Sequence, residues 1–460
     1  MPCQTPKQTN ARAVTAEIYM KKVQLTIAAA QVLRGVIDQG HSLARAVEDL
    51  GDSFNGNLSE LKEITFGGCR FYIYLDGLIS ELLHKPIKEK DRIVHFLLVS
   101  AIYRIEFMRA PDYAVVNESV SALEKTNQSW AKNLANGVLR NFLRNKPEII
   151  GLLNKAHVQD AFPKHLHERI TSDWPEHAQA IFRASNKKPP LTLRINQKTT
   201  TRSLYEETLK GQGMDYALTQ DSDIGVTLSN PVSVERIPGF TDGRVSVQDE
   251  SAQIIASAVA LSSGQRVLDG CAAPGGKTCL MLESQPDLAS LVAIDLPRRI
   301  TAIEQNLARL KLNAMVIPAD LLDTAAWWDG QRFDRIVLDA PCSGSGVICR
   351  HPDIKHRRRP SDIEKFAEQQ LAMINSVWPL LKPGGKLVYI TCSIFKAEND
   401  HVIEKFIKDK EDFELQSLNE IFGVESSFGR QRLPGVHSGD GFYYCVINKT
   451  PGNKTPGTHS

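Results

Sequence analysis

The sequence predicts a multidomain protein: an all-α bundle, then a small α+β domain, then an α/β domain built on a Rossmann-like, doubly wound parallel sheet. Three observations predict it. Apolar residues recur at helical spacing from Val23 to about Lys146. The stiff segment Lys187-Lys188-Pro189-Pro190 precedes a short strand pattern. From Gln248 onward, apolar strands alternate with amphipathic helices.

Residues 1–21 carry Lys7, Arg12, Lys21 and Lys22 among Thr, Gln and Asn, with no apolar signal segment, and read as a frayed tail. The bundle, 22–148, is clearest at Ile93, Val94, Leu97, Leu98, Ala101, Ile102 and Ile105, which share one helical face. Asp52–Asn57 marks a connection, and Lys146-Pro147 closes the bundle. No acid lies between Ala131 and Lys146, where Lys132, Arg140, Arg144 and Lys146 stand. Arg140 and Arg144 are one turn apart, a phosphate contact or a solvated face. Residues 149–247 hold a helical connector with Trp174-Pro175, a strand at Leu191–Asn196, a helix near Leu204–Leu209 and a strand piece at Val226–Leu228. Residues 248–448 contain the strands Arg266–Asp269, Leu291–Asp295, Val316–Asp320, Arg335–Asp339 and Lys386–Ile390. The polar repeat Asn448-Lys-Thr-Pro-Gly452 and Asn453-Lys-Thr-Pro-Gly457 makes 449–460 a disordered tail.

Composition excludes several classes. With 460 residues, 42% hydrophobic and 23% charged, and with 30 Gly and 23 Pro, the chain is neither collagen-like nor low-complexity and can bury a sizeable core. Its most apolar stretch, Phe96–Tyr103, is far short of the ~18 to 20 residues a bilayer requires, so no membrane role is expected. The eight cysteines form no CxxC pair and no zinc spacing, which excludes a structural metal and fits reduced thiols in a cytoplasm. A net charge of +2 is uninformative until it is localised.

Four successive strands end in Asp269, Asp295, Asp320 and Asp339, at the edge where a doubly wound sheet binds its ligand. The first runs into Gly270-Cys271-Ala272-Ala273-Pro274-Gly275-Gly276-Lys277-Thr278. A nucleotide-binding P-loop would need glycine where Cys271 stands, so that match fails. Asp295 lies 19 positions beyond Gly276, near the ~20-residue interval for an acid that binds ribose hydroxyls. A nucleoside cofactor fits, and nicotinamide is disfavoured because G-x-G-x-x-G is absent. The fourth strand leads into Asp339-Ala-Pro-Cys342-Ser-Gly-Ser-Gly346 and the fifth into Thr391-Cys392-Ser393. Either cysteine alone reads as a small buried hydrophobe; two at one sheet edge point to nucleophilic chemistry.

These segments resemble the RNA cytosine-C5 methyltransferases of the Sun type, which use S-adenosyl-L-methionine. The likeness rests on Cys-Ala-Ala-Pro-Gly-Gly-Lys-Thr at 271–278, Asp-Ala-Pro-Cys-Ser-Gly-Ser-Gly at 339–346, Arg-His-Pro-Asp at 350–353, Leu-Lys-Pro-Gly-Gly at 381–385 and Thr-Cys-Ser at 391–393. Glu398-Asn399 and Gly439-Asp-Gly-Phe442 continue it. The helical half, with Asn136-Gly-Val-Leu-Arg140, resembles the NusB-type RNA-binding domain of the family's bacterial small-subunit ribosomal RNA members. By this resemblance Cys392 attacks C6 of cytosine, Cys342 assists release, and Asp339 bonds the ring close to the cofactor. The cofactor loop is Cys271–Lys277, with Asp295 on the ribose and Asp320 near the adenine. In the DNA enzymes the Pro-Cys thiol attacks instead, which here is Cys342. Two positions depart from the family pattern. Gly270 replaces a larger apolar residue, and His356 stands where an aromatic is usual.

From Cys349 to Pro360, Arg350, Lys355, Arg357, Arg358 and Arg359 against Asp353 give +4, an expected RNA contact beside the catalytic loop. The target base must be unpaired or flipped out. The reading is a monomeric, cytoplasmic enzyme that makes 5-methylcytosine in 16S ribosomal RNA. Its alternatives are a transfer-RNA or DNA cytosine methyltransferase and a non-catalytic RNA-binding assembly factor.

Overall fold

A computed structural model describes residues 6–451 apart from Arg109, with side chains from Glu17 onward. The proposed C-terminal tail lies outside the described residues from position 452 on, as do residues 1–5 of the N-terminal one. The chain divides into two compact units. One runs to Arg169 and includes Ile348–Arg359; the other comprises Ile170–Val347 and the chain from Pro360 onward.

The first unit is helical. Its longest helices are Pro6–Ile37, Leu58–Arg70, Arg92–Phe107, Asp112–Lys125 and Lys132–Gly151. The stretch expected to fray is therefore helical from Pro6, having no glycine or further proline to stop it. The helix Arg92–Phe107 is buried continuously from Val94 to Ile105, whereas its sequence suggests a single apolar face. Its polar members are absorbed in the core. Arg104 donates to Glu118 Oε2 at 2.6 Å, and burial drives His95 down to about 4. Lys146-Pro147 does not close the bundle: the helix kinks at Asn145 (φ −118°, ψ 21°), and Pro147 occupies the first turn of the continuation, where its missing N–H costs nothing.

The second unit contains two sheets. The smaller is formed by β1 (Leu191–Ile195), β2 (Tyr216–Leu218), β3 (Gly225–Leu228) and β4 (Val245–Val247), antiparallel in the order β2-β3-β1-β4. The larger comprises β5 (Arg266–Gly270), β6 (Ser290–Asp295), β7 (Met315–Pro318), β8 (Phe333–Asp339), β9 (Leu381–Thr391), β10 (Phe413–Leu415), β11 (Val424–Glu425), β12 (Arg430–Arg432) and β13 (Phe442–Lys449). Strands β9-β8-β5-β6-β7 are parallel. β13 then adds antiparallel to β9, pairing Tyr444 with Ile390, and β12, β11 and β10 extend that edge. The sheet is thus mixed, with a parallel, doubly wound centre. Two buried apolar layers cover its faces, one containing Val267, Val337 and Val388 and the other Leu268, Ile336 and Leu387. That explains why these strands read as near-continuous apolar runs. The chain leaves β5 toward β6 on one side and returns through β8 on the other, so the carboxyl ends of β5 and β8 flank the switch point where such sheets bind ligands.

Candidate active site

The loop after β5 is shaped by backbone requirements. Cys271 takes φ 62° and Gly275 φ 94°. A Cβ on Gly275 would sit 3.1 Å from the Ile303 Cα, so only glycine lets the helix Ile300–Leu310 approach. Gly275 then caps the helix Gly276–Ser284. The Ala273 N–H donates to Asp295 Oδ2 at 2.8 Å, and the Leu296 N–H donates to Oδ1 at 2.8 Å. Asp295 is buried and holds the loop in shape. Buried Arg194 of β1 braces it from the far side, donating to the Gly276 carbonyl at 2.7 Å and to both oxygens of Glu283. The Cys271 thiol, pushed up by burial, stays a thiol 3.9 Å from Met373 Sδ, so its residue serves the loop through its backbone. Gly270 has a packing reason: a Cβ there would meet Leu321 Cδ2 at 3.0 Å, so Leu321 occupies the space a larger residue would fill.

Asp269 is fully buried at the end of β5. Thr278 Oγ1 donates to its Oδ2 at 2.6 Å, while Oδ1 has no partner among the described residues. Burial pushes this carboxyl up to about 7. Such an orphaned acceptor beneath a bare glycine loop fits a ligand with a cationic hydrogen-bond donor. Asp320 is exposed, two residues beyond β7, and its carboxylate caps its own turn through the Leu322 N–H at 3.0 Å.

At the switch point Lys277 Nζ lies 2.5 Å from Asp339 Oδ2 and 5.4 Å from the centre of the Phe442 ring. Burial alone would lower the Lys277 ammonium, but Asp339 and, more weakly, Cys392 raise it, so a cation is held beside the thiol-bearing loops. Cys342 and Cys392 stand with their sulfurs 3.3 Å apart, both half-buried. The hydrogen bond with Cys392, then burial, push the Cys342 thiol well up. Cys342 is therefore held as a thiol beside Cys392.

What holds the two loops in register enters the sequence analysis only as part of the resemblance, with no role attached. Glu398 is buried beneath them. Its Oε1 accepts the Ser343 N–H at 2.7 Å, and its Oε2 accepts the hydroxyls of Ser343 and Ser393, both at 2.6 Å. Asn399 Nδ2 donates to the Ser393 carbonyl at 3.0 Å, and Trp174 Nε1 donates to the Ile394 carbonyl at 2.6 Å. Gly346 closes the arrangement: its N–H donates to the Cys392 carbonyl, its carbonyl accepts the Gly441 N–H, and a Cβ there would fall 2.1 Å from the Gly441 oxygen. The spacing Glu398-Asn399 after Cys392 was the available signal, but neither residue type nor offset reveals which groups a buried carboxylate collects.

The expected RNA contacts all lie in the helical unit. Arg140 and Arg144 are exposed, Arg140 Nε donating to Asn136 Oδ1 at 3.0 Å, while Lys146 pairs with Glu106 at 2.6 Å and Lys132 with Glu124. The basic segment corrects the sequence reading in part. Lys355 is 1% exposed; its ammonium donates to the Arg70 and Ala161 carbonyls, both at 2.9 Å, and lies 4.0 Å from the Phe162 ring centre. It is an internal tie and not an RNA contact. Burial pushes it well below the ordinary lysine value, so the +4 counted along the sequence overstates the charge offered to solvent. Arg357 is also engaged, with the Gly40 carbonyl at 3.2 Å and Asp353 Oδ2 at 3.1 Å, whereas Arg350 and Arg358 are half-buried. His356 bonds the Cys69 carbonyl at 2.8 Å and meets the Tyr72 ring edge-on, replacing the family's aromatic as a core contact.

Among the described residues no group of His, Cys, Asp and Glu is placed to hold a metal, and no helix is long and apolar enough to cross a membrane.

Three family models match the chain: 16S rRNA methyltransferase RsmB/F over residues 256–448, the ferredoxin-like domain of the RsmF/B-like methyltransferases over 162–235, and the NusB family over 25–144. Ribosomal RNA small subunit methyltransferase B of Pseudomonas syringae pv. tomato is 42% identical over 84% of this chain and 88% of its own length. The protein of the same name from Pseudomonas putida is 40% identical over 92% of this chain and 97% of its own. Among solved structures, that of PH0851 superposes with a TM-score of 0.76 at 22% identity, covering 93% of this chain and 99% of its own, a likeness of fold.

Proposed function

The chain belongs to the 16S rRNA methyltransferase RsmB/F family, and from that premise we propose that it methylates C5 of a cytosine in 16S ribosomal RNA through a covalent bond from Cys392 to C6, with S-adenosyl-L-methionine as methyl donor. The observation that carries this reading is the thiol pair, 3.3 Å apart at the carboxyl edge of the sheet. C5 of cytosine is a poor nucleophile. Addition of the Cys392 thiolate to C6 makes C5 enamine-like, so that C5 can form the new carbon–carbon bond. Loss of the C5 proton to a base and cleavage of the Cys392–C6 bond then restore the aromatic ring and the thiolate. Cys342, keeping its proton beside Cys392, assists that release. Asp339 bonds the cytosine edge and is itself oriented by Lys277.

When bound, the cofactor supplies an electrophilic methyl sulfonium. Cys271, Ala272, Ala273, Pro274, Gly275, Gly276 and Lys277 would line it, mainly through backbone. Asp269 Oδ1 would take its ammonium, and Asp295 and Asp320 would take the ribose and adenine ends. Carboxylate oxygens accept more than one hydrogen bond, so the loop contacts of Asp295 leave it acceptor capacity.

The test is to incubate unmethylated small-subunit RNA with the protein and methyl-labelled donor, digest the RNA, and separate the nucleosides. Label in 5-methylcytidine is the expected result. Label in another nucleoside, or preferential labelling of competing transfer RNA or DNA, overturns the reading.

Asp269 adds a pH signature. Without cofactor, the folded protein keeps this proton up to about pH 7, while the unfolded chain releases it near the ordinary 3.8. Folding stability therefore declines as pH rises between those values. A cation against Oδ1 reverses the preference, so donor affinity rises as pH approaches 7 and then levels off. Asp269→Asn is expected to flatten both profiles and to weaken donor binding at pH 8 by roughly tenfold or more, the order of a lost charge-assisted hydrogen bond. Titration calorimetry at pH 6 and 8 measures it, and wild-type affinity in the variant removes Asp269 from the site.

A further inference from the structure

We propose that the helical unit holds an unpaired RNA strand in a groove between the Leu82–Asp91 connection and the Asn127–Leu134 turn, with Trp130 as a base-stacking platform. The groove encloses about 710 Å³. Ile87, Trp130 and Leu134 supply apolar surface, and Lys85, Lys88 and Lys90 are exposed along it, with no ion-pair partner among the described residues. A second cleft of about 650 Å³ continues from it, sharing Lys90 and Gln128 and adding Arg34 and Lys125. Arg34 Nε is buried there with no hydrogen-bond partner among the described residues, the carboxylate of Asp38 standing 4.0 Å away.

Trp130 decides the class of ligand. It is 58% exposed, unusual for so large an apolar ring. Its indole N–H is already used, donating to Gln128 Oε1 at 2.8 Å, so what the ring offers a ligand is its flat face. A flat aromatic face flanked by unpaired lysines is the arrangement that binds single-stranded nucleic acid, bases stacking on the ring and phosphates meeting the cations. Duplex RNA keeps its base faces stacked internally and has no use for the ring. An acidic peptide would use the lysines and leave the indole idle. This inference rests on the RNA-substrate reading and adds where the strand is held; the groove is separate from the Arg140 and Arg144 face named above.

Fluorescence anisotropy of the full chain with a labelled oligouridylate tests it. Trp130→Ala is expected to weaken binding by roughly five- to hundredfold and Trp130→Phe to restore most of it. The triple variant Lys85→Glu, Lys88→Glu, Lys90→Glu should reduce the slope of log affinity against log salt by about two, at ~0.7 per phosphate contact. Lys62→Glu, exposed elsewhere on the unit, should leave binding unchanged. Unchanged binding in Trp130→Ala, or displacement of the oligonucleotide by polyglutamate as readily as by RNA, overturns the proposal. If Trp130→Ala binds normally while wild-type protein still methylates ribosomal RNA, the groove fails alone. If wild-type protein transfers no methyl group but Trp130 still governs oligouridylate binding, the methylation reading fails alone.

Discussion

Replacing Cys342 with alanine is expected to make a covalent protein–RNA complex accumulate on a denaturing gel, and replacing Cys392 with alanine to abolish both that complex and methyl transfer. Which sulfur keeps the proton decides the outcome. Two thiols with sulfurs 3.3 Å apart in a half-buried site do not both ionise, because the second negative charge would face the first. Cys342 is the one pushed up, first by its hydrogen bond with Cys392, then by burial, then by the charge of Cys392 and of Glu398 beneath it. The Lys277 ammonium, paired with Asp339, stands close enough to Cys392 to feel its charge. Cys342 is thereby kept as a thiol, and loss of Cys392 removes the only bond that activates C5. Turnover in Cys392→Ala should fall by at least about 10³-fold, in line with nucleophile deletions elsewhere.

The double variant should form no complex. If Cys392→Ala traps RNA and Cys342→Ala does not, the two roles are exchanged and the arrangement is that of the DNA enzymes. If neither variant traps RNA, the C6 adduct itself is wrong. Donor binding, measured separately by calorimetry, should change little in either single variant, because neither sulfur belongs to the loop after β5.

Much of this site was legible because its parts are local. The strand ends at Asp269, Asp295 and Asp339 follow from apolar runs closed by an acid, and the loop at 270–278 follows from its glycines and proline. The doubly wound centre followed from the alternation of strands and helices. Three things were not legible, each for a tertiary reason. Lys355 reads as a surface group in a basic run, yet it packs inside the helical unit, where backbone carbonyls of distant residues satisfy it, as the Cys69 carbonyl does its neighbour His356. The short antiparallel strands β10, β11 and β12 were missed because they are only two or three residues long, too short to show a period. The helix Arg92–Phe107 looked one-sided because His95, Ser100 and Arg104 are polar; a buried partner such as Glu118 can be seen only once the helices are packed.

Glu398 supplies the second large effect. Truncation to alanine should cost about 3 to 9 kcal/mol, because the Ser343 N–H and the hydroxyls of Ser343 and Ser393 lose a buried acceptor together at about 1 to 3 kcal/mol each. In a unit of this size that lowers the melting temperature by roughly 10 °C. Release of either loop also separates the two sulfurs, and a displacement of about 1 Å from reacting geometry is worth roughly 10²-fold in turnover. Glutamine distinguishes positioning from mere support. Its carbonyl can still accept the Ser343 N–H, while its amide donates to hydroxyls free to rotate, so Glu398→Gln should recover most of the lost stability. It removes the negative charge, however, and that charge is among the causes holding the Cys342 thiol up. Alkylation of Cys342, followed by mass spectrometry as pH is raised, should therefore begin at lower pH in Glu398→Gln than in wild type, at nearly unchanged melting temperature. An unmoved profile would reduce Glu398 to a structural tie. A lowered one would show that the carboxylate binding the two loops also decides which thiol remains protonated.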